Sequence, residues 1–340
     1  MKILLAGRRY TESFALHIAE TFEEMGHTVF VFEPGIKTGQ AKSPLHHKYI
    51  QAKTQIHTIY KQTAWGREAA FKAFKKQVVQ FKPELVVACH DFLTPEEVAW
   101  LKTTFRCKVV LWFPDAISNF GKAMFLNAAY DALFFKEPFV VDVLKRELNK
   151  NVFYLPECCN PKYHNKVTVT TEDYNKYGCD ITTAGNMHTA RASFFKLLAG
   201  YDIKIWGNPA PAWMDTEGIE AMIQNRFVSN IEKSKAFACS KIVLNTMHPT
   251  EIAGVNVRLF EIAATDSFQI CNHRDGLPDL LIPGKEIICF KTIDELRELI
   301  AYYLVNDAER KQIATAAYTR TQKEHTYTIR LQHLLNCIHL

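Results

Sequence analysis

Lys241-Ile-Val-Leu-Asn245, then Glu251-Ile-Ala-Gly-Val-Asn256-Val-Arg258-Leu-Phe-Glu261, then Ser267-Phe-Gln-Ile-Cys271: this run decides the fold. Two short apolar, β-branched segments bracket a helical pattern over 256–264, which predicts strand, helix, strand. Gly254 relaxes the backbone at the exit of the first strand, and Asn256 suits a helix N-cap. Arg258 and Glu261 are three residues apart, so both reach one side of the first helical turns. A guanidinium beside a carboxylate at a helix start above a parallel sheet suits a nucleoside diphosphate. The cation and the free N–H groups take the phosphates, and the carboxylate accepts from the ribose diol. The same spacing also describes a surface salt bridge on an ordinary helix, and on spacing alone both readings stand.

Outward from this run the alternation continues in both directions. Upstream, residues 181–184 and 203–206 read as strands around a helix over 189–198. Downstream, 287–290 is a further strand and helices dominate from Thr292 to the end. In the N-terminal half the expected strands are 2–6, 28–33, 84–89, 107–113, 132–135 and 152–155. Phe14, Ile18, Phe22 and Met25 recur at helical spacing before Gly26, and further helices are expected over 67–81, 95–105 and 139–148. Residues 34–60 carry scattered Gly, Pro, His and Lys with poor periodicity and are expected to form a long loop or lid. Alternation of this kind implies α/β architecture with parallel sheets covered on both faces. Two Rossmann-like domains are expected, 1–160 and 175–325, joined by a linker over 156–171, with 326–340 as a final helix.

Composition bounds the function. At 340 residues the chain suits two domains. Its 48% hydrophobic and 23% charged residues are ordinary for a globular protein with a sizeable core. A net charge of +5 favours phosphate-bearing ligands or an anionic surface without demanding either. No aromatic-basic repeat argues for a dedicated nucleic-acid binder, and the segment Phe71-Lys-Ala-Phe-Lys-Lys76 reads as an amphipathic helix with a solvated face. The run Met1 to Gly7 is too short for a signal peptide, and no stretch approaches the length of a membrane span. Nine cysteines, an odd number without paired spacing, fit reduced thiols in the cytoplasm. The histidines show no metal-ligand spacing, and there is no D-x-D carboxylate pair, so no metal is expected. The first turn, Gly7-Arg-Arg-Tyr-Thr-Glu-Ser13, lacks G-x-G-x-x-G, which argues against a nicotinamide or flavin cofactor.

A wider series carries a resemblance. It begins with Lys241 to Asn245, Gly254, Asn256, Arg258 and Phe260-Glu261. Gly276-Leu277-Pro278-Asp279-Leu280, Pro283-Gly284-Lys285-Glu286 and Asp294-Glu295-Leu296 follow. Tyr302-Tyr303-Leu304, Asn306-Asp307, Glu309-Arg310, His325-Thr326-Tyr327 and Arg330 complete it. In this order it resembles the CgeB-like glycosyltransferases, named for spore-maturation proteins and related to the retaining, family-4-type group of GT-B enzymes. Asp180 to Asn186 with Arg191, then Asp202 to Gly207, looks like the start of that family's donor domain. The resemblance spans roughly 178–330 well and the N-terminal half loosely. It implies the GT-B arrangement, two Rossmann-like domains facing across a cleft with the last helix crossing back to the first domain. It further implies transfer of a sugar from a nucleoside-diphosphate sugar, UDP-linked by family habit, to an acceptor hydroxyl, with retention and without metal or other cofactor. A GT-B-fold epimerase or hydrolase and a non-catalytic nucleotide-sugar binder remain alternatives. The sugar, the acceptor (glycan, protein, small molecule or modified base) and the oligomeric state are not legible.

The resemblance gives Glu261 the ribose hydroxyls, and Arg258 beside it is the candidate for the diphosphate. Gly185 and Asn186, before a helix start, suit a pyrophosphate, and Arg191 adds a phosphate contact by the same resemblance. From the residues alone, Gly185 is equally a turn glycine, and Arg191 equally a surface arginine paired with an acid. His90 and Asp115 end two N-terminal strands, where open α/β sheets bind ligands. They are candidates to orient the acceptor hydroxyl or take its proton, against plain roles capping a helix and binding loop N–H groups. Arg8, in the first loop, is a cleft candidate or a solvated arginine. Two positions depart from the family. The glutamate usual eight residues before Glu261 is Ala253, and the usual glycine at 266 is Asp266.

Overall fold

The structure, a computed structural model, describes residues 1–34 and 43–340. One parallel sheet is built from β1 (Lys2–Ala6), β2 (Thr28–Phe32), β3 (Leu85–Cys89), β4 (Lys108–Phe113), β5 (Ala132–Phe135) and β6 (Val152–Tyr154), in the order β2-β1-β3-β4-β5-β6. The other is built from β7 (Cys179–Ala184), β8 (Ile203–Trp206), β9 (Ser240–Asn245), β10 (Gln269–Asn272) and β11 (Ile288–Phe290), in the order β11-β10-β9-β7-β8. Registers such as Leu4↔Phe30, Leu4↔Val86 and Ile181↔Ile203 are parallel. The strands carry continuous apolar runs because helices cover both faces. Ile3 to Ala6, Leu85 to Ala88 and Ile242 to Leu244 are wholly buried, each large side chain contributing about 1.5–3 kcal/mol.

The helices are α1 (Phe14–Glu24), α2 (Pro44–Gln62), α3 (Ala64–Val78), α4 (Pro95–Phe105), α5 (Pro138–Leu148), α6 (Thr171–Tyr177), α7 (Thr189–Lys196), α8 (Asn230–Ala238), α9 (Arg258–Ala263), α10 (Ile293–Val305), α11 (Asp307–Glu324) and α12 (Tyr327–Cys337). Their starts follow local chemistry: Ser13, Thr63 and Thr292 accept backbone N–H groups as caps, and Thr94 with Glu97 closes a capping box. The expected lid over 34–60 is corrected in part. Residues 44–62 are helical, started by the Ser43 cap and Pro44 in the first turn, while 35–42 lie outside the described residues. Lys and His dilute that helix, and its apolar positions face away from the core, so no buried stripe marked it.

The chain forms two compact units, Met1–Phe113 with Gly121–Phe134, and Pro114–Phe120 with Phe135–Leu340. In the second, the start of α12 is pinned to the segment after β6. Cys159 N–H donates to the His325 carbonyl, Tyr327 N–H to the Cys159 carbonyl, and Arg330 Nε to the Pro156 carbonyl at 3.1 Å. Thr326 caps α12, as its position suggested. His325 is buried with Nε2 on the Leu280 carbonyl; burial, then Arg330, brings its pKa down to about 4. All nine cysteines are free. Among the described residues no helix is long and apolar enough to cross a membrane.

Candidate functional site

The chemistry collects at the C-terminal edge of the five-stranded sheet, where open parallel sheets take ligands. β7 ends at Ala184, and Gly185 follows with φ 127°, a conformation side chains resist. A Cβ there would stand 2.6 Å from Arg258 Nη2 and 3.1 Å from Arg191 Nη1, so this glycine lets two guanidiniums flank one strand end. Arg191, at 2% exposure, donates from Nη1 to the Asn186 carbonyl at 3.2 Å and from Nη2 to Thr183 Oγ1 and the Ala184 carbonyl. Its buried Nε has no hydrogen-bond partner among the described residues. Arg258 Nη1 donates to Asn245 Oδ1 at 3.1 Å and to the Thr246 carbonyl at 3.5 Å. Among the described residues neither guanidinium forms an ion pair. Burial, then the neighbouring Arg258 charge, holds Arg191 well below its ordinary pKa. Burial also lowers Arg258, partly offset by Glu261, Glu251 and Glu157. Holding two like charges side by side with no carboxylate in direct contact is costly, of order several kcal/mol for a fully buried ion such as Arg191. An anion at this spot removes that cost.

Two histidines border the pair. His188 caps α7, its Nδ1 accepting from Arg191 N–H at 3.3 Å, and its ring lies 4.8 Å from that of His248. Burial, then His248, Arg191 and Arg258, brings His188 down to about 4. It is therefore neutral near pH 7, which its accepting role in the cap requires.

The loop between β9 and α9 is tied down by residues distant in sequence. Glu137, 3% exposed, accepts from the N–H groups of Ile252, Ala253 and Gly254 at 3.0, 2.9 and 3.0 Å. Gly254 is needed here for approach: an added Cβ would meet the Lys136 carbonyl oxygen at 2.7 Å. Lys136 Nζ pairs with Glu251 at 3.1 Å and lies 3.8 Å from Glu157. Arg274 Nε donates to the Glu251 carbonyl at 2.8 Å, and Asn272 Oδ1 accepts from Met247 N–H at 2.8 Å. Burial pulls Lys136 down, but Glu157 and Glu251 outweigh it and the net shift is upward. Burial pushes Glu157 up to about 8, with Lys136 opposing and Asp115, Glu251 and Glu261 adding to the rise. The folded pKa thus lies above the ordinary 4.5, so Glu157 contributes stability below about 4.5 that is lost as pH rises through about 8. Glu157→Gln, uncharged at every pH, escapes that loss. Its thermal midpoint relative to wild type should climb from about pH 5 to about pH 9; parallel midpoint curves across that range would count against the assignment.

The structure brings Gly185, Arg191 and Arg258 together. Asn256 Oδ1 accepts from Leu259 N–H at 3.2 Å and its amide bonds Asn245; the cap position of α9 itself is Val257, one residue later than expected, so Asn256 serves the first turn from just outside it. Asn186 Oδ1 accepts from Asn208. Arg258 and Glu261 do not pair with each other. Glu261, 8% exposed, holds Lys233 at 3.0 Å and His164 at 3.5 Å. Asp115, in the same unit, is close enough to act on Lys136 and Glu157. In the other unit, His90 adopts φ 68° among the rings of Phe14, Phe92 and Phe113, and Arg8 lies 5.7 Å from the Phe92 ring centre. Asp266 has φ 57°, a left-handed turn that Asp tolerates, with Lys166 and Thr315 on its carboxylate. The sequence reading missed Asn245, His188, His248, Lys136 and Glu137. Among the described residues no group of three or more His, Cys, Asp or Glu is placed to hold a metal.

With this geometry in view, comparison with known proteins is informative. Residues 189–336 match the model of a family described as glycosyl transferase-like. No curated protein sequence matches the chain. Among solved structures, a glycosyltransferase from Rickettsia africae is similar at TM-score 0.65 and 13% identity, over 99% of this chain and 97% of that one. The Anabaena protein HepE in complex with UDP aligns over 100% of both chains at TM-score 0.66 and 11% identity. A UDP-forming α,α-trehalose-phosphate synthase from Burkholderia xenovorans also aligns over 100% of both, at 0.66 and 12%. At such identities the likeness establishes the fold: two parallel α/β sheets of the GT-B glycosyltransferase type.

Proposed function

We propose that this chain is a CgeB-like glycosyltransferase that moves a sugar from a nucleoside-diphosphate sugar, UDP-linked, to an acceptor hydroxyl. The observation that carries the reading is the pair of guanidiniums at a strand end, Arg191 buried and Arg258 half-buried, without a carboxylate partner among the described residues. Arg191 and Arg258 supply fixed positive charge where a departing diphosphate gains negative charge. Gly185, Asn186 and Asn256 shape the floor of that subsite, and Glu261 serves the ribose. Support also comes from similar structures whose descriptions name UDP and UDP-glucose. In this reading the reaction retains anomeric configuration and uses neither metal nor cofactor. Asp115 and His90 act on the acceptor side. The protein works in the cytoplasm, where its free cysteines stay reduced.

The test is a thermal-shift screen of uridine, pyrophosphate, UDP and a panel of nucleotide sugars. A specific donor at a hundred times its Kd stabilises the protein by about 2.7 kcal/mol; a flat response to every nucleotide would reject the reading. Glu261→Ala should weaken UDP about tenfold more than it weakens pyrophosphate, the loss of roughly one charge-assisted hydrogen bond. Leaving Lys233 unpaired affects both ligands alike, so the ratio reports the ribose contact. Equal losses would remove Glu261 from that role.

A further inference from the structure

The outer face of α2 is the feature that the donor reading leaves unused. Leu45, Tyr49, Ile56 and Ile59 are 81, 62, 67 and 64% exposed, and Trp65, just past the helix, is 82% exposed. At 100° per residue, Leu45, Tyr49, Ala52, Ile56, Ile59 and Tyr60 fall within an arc of about 100°. The helix contacts α3, and of its described side chains only His46 and Ile50 are half-buried, so this arc is open to solvent. Isolated exposed apolar residues are ordinary, but a contiguous stripe along a whole helix marks a docking surface.

Charge selects the occupant. From Ser43 to Arg67 there is no Asp or Glu, while Lys48, Lys53, Lys61 and Arg67 lie in the same span. On the helical projection exposed Lys48 and Lys53 stand at opposite borders of the apolar arc, positions from which an ammonium reaches outward past a buried stem. Tyr49, Tyr60 and Trp65 add rings with an apolar body and a polar tip, suited to a lipid–water boundary. A second copy of this face would set lysine against lysine with no acid between. We propose that the outer face of α2, with Trp65, docks in plane on an anionic lipid surface, burying the stripe among acyl chains while the flanking lysines meet the headgroups. This stands apart from the donor assignment, since it needs no nucleotide.

The experiment uses the full chain and flotation with vesicles of phosphatidylcholine alone or mixed with phosphatidylglycerol. Wild type should float with the anionic vesicles at low salt and much less with the neutral ones. Lys48→Gln with Lys53→Gln should lower the partition coefficient about twenty-fivefold, roughly fivefold per charge. Ile59→Ser with Trp65→Ser should lower it more than tenfold with the thermal midpoint unchanged. No flotation with anionic vesicles, or undiminished flotation of the serine variant, overturns the proposal. Light scattering provides a further arm: a wild-type dimer that becomes monomeric in the serine variant makes the stripe a subunit interface and equally overturns it.

Discussion

Arg191→Ala and Arg258→Ala should each weaken UDP binding by about ten- to a hundredfold. Each removes a hydrogen bond from a guanidinium to a phosphate oxygen, worth roughly 1.5–3 kcal/mol, and 1.4 kcal/mol is about tenfold in Kd. Uridine, which brings no phosphate, should bind both variants as it binds wild type. The stability readout separates this from a structural role. Arg258 is half-buried beside another guanidinium and, among the described residues, forms no ion pair and donates only to Asn245 and Thr246. Its charge therefore costs the unliganded fold, so Arg258→Met should hold or raise the midpoint without ligand while losing the rise that UDP produces. A residue kept for packing would do the reverse. Calorimetry with UDP and uridine on wild type and both alanine variants is sufficient. Unaltered UDP affinity in both would place the diphosphate elsewhere.

The strands were legible because both faces of each sheet are covered. Burial on two sides demands runs such as Ile3 to Ala6 and Ile242 to Leu244, and such runs stand out locally. The helix α2 was not legible, because its apolar residues serve no core and alternate with lysine and histidine. The site divides in the same way. Gly185, Arg191 and Arg258 stand beside strand ends and helix starts, so local pattern named them. Asn245 read only as the last residue of a strand, although its side chain ties Arg258 to Asn256. His188 became visible once its ring was seen against His248. Glu261 illustrates what local spacing misses: Arg258 is three residues away, yet Lys233 and His164 take its carboxylate. Lys136 and Glu137 lie 115 to 117 residues from the loop groups they hold, and nothing in their neighbourhood announces the task.

That distance makes Glu137→Ala the substitution with the largest expected cost in stability. One carboxylate satisfies the N–H groups of Ile252, Ala253 and Gly254 and also accepts from Phe139 N–H at the start of α5. Charge-assisted bonds of this kind contribute roughly 1.5–3 kcal/mol each when removed singly. They share one acceptor group, so they do not add, and a loss of about 3–5 kcal/mol is expected, as for breaking a buried charged contact. For a unit of this size that is a fall of roughly 6–20 °C in the midpoint. Glu137→Gln should recover about half, since one oxygen still accepts while the new NH2 faces donors. The loop leads into Asn256 and Arg258, so the alanine variant should also bind UDP more weakly, and saturating UDP should restore part of the lost midpoint by mass action. Urea unfolding of the alanine and glutamine variants, with and without UDP, measures all three effects. An alanine variant within about 0.5 kcal/mol of wild type would mean that water serves these amides as well as Glu137 does, and the loop would owe its shape to Lys136 and Arg274 instead.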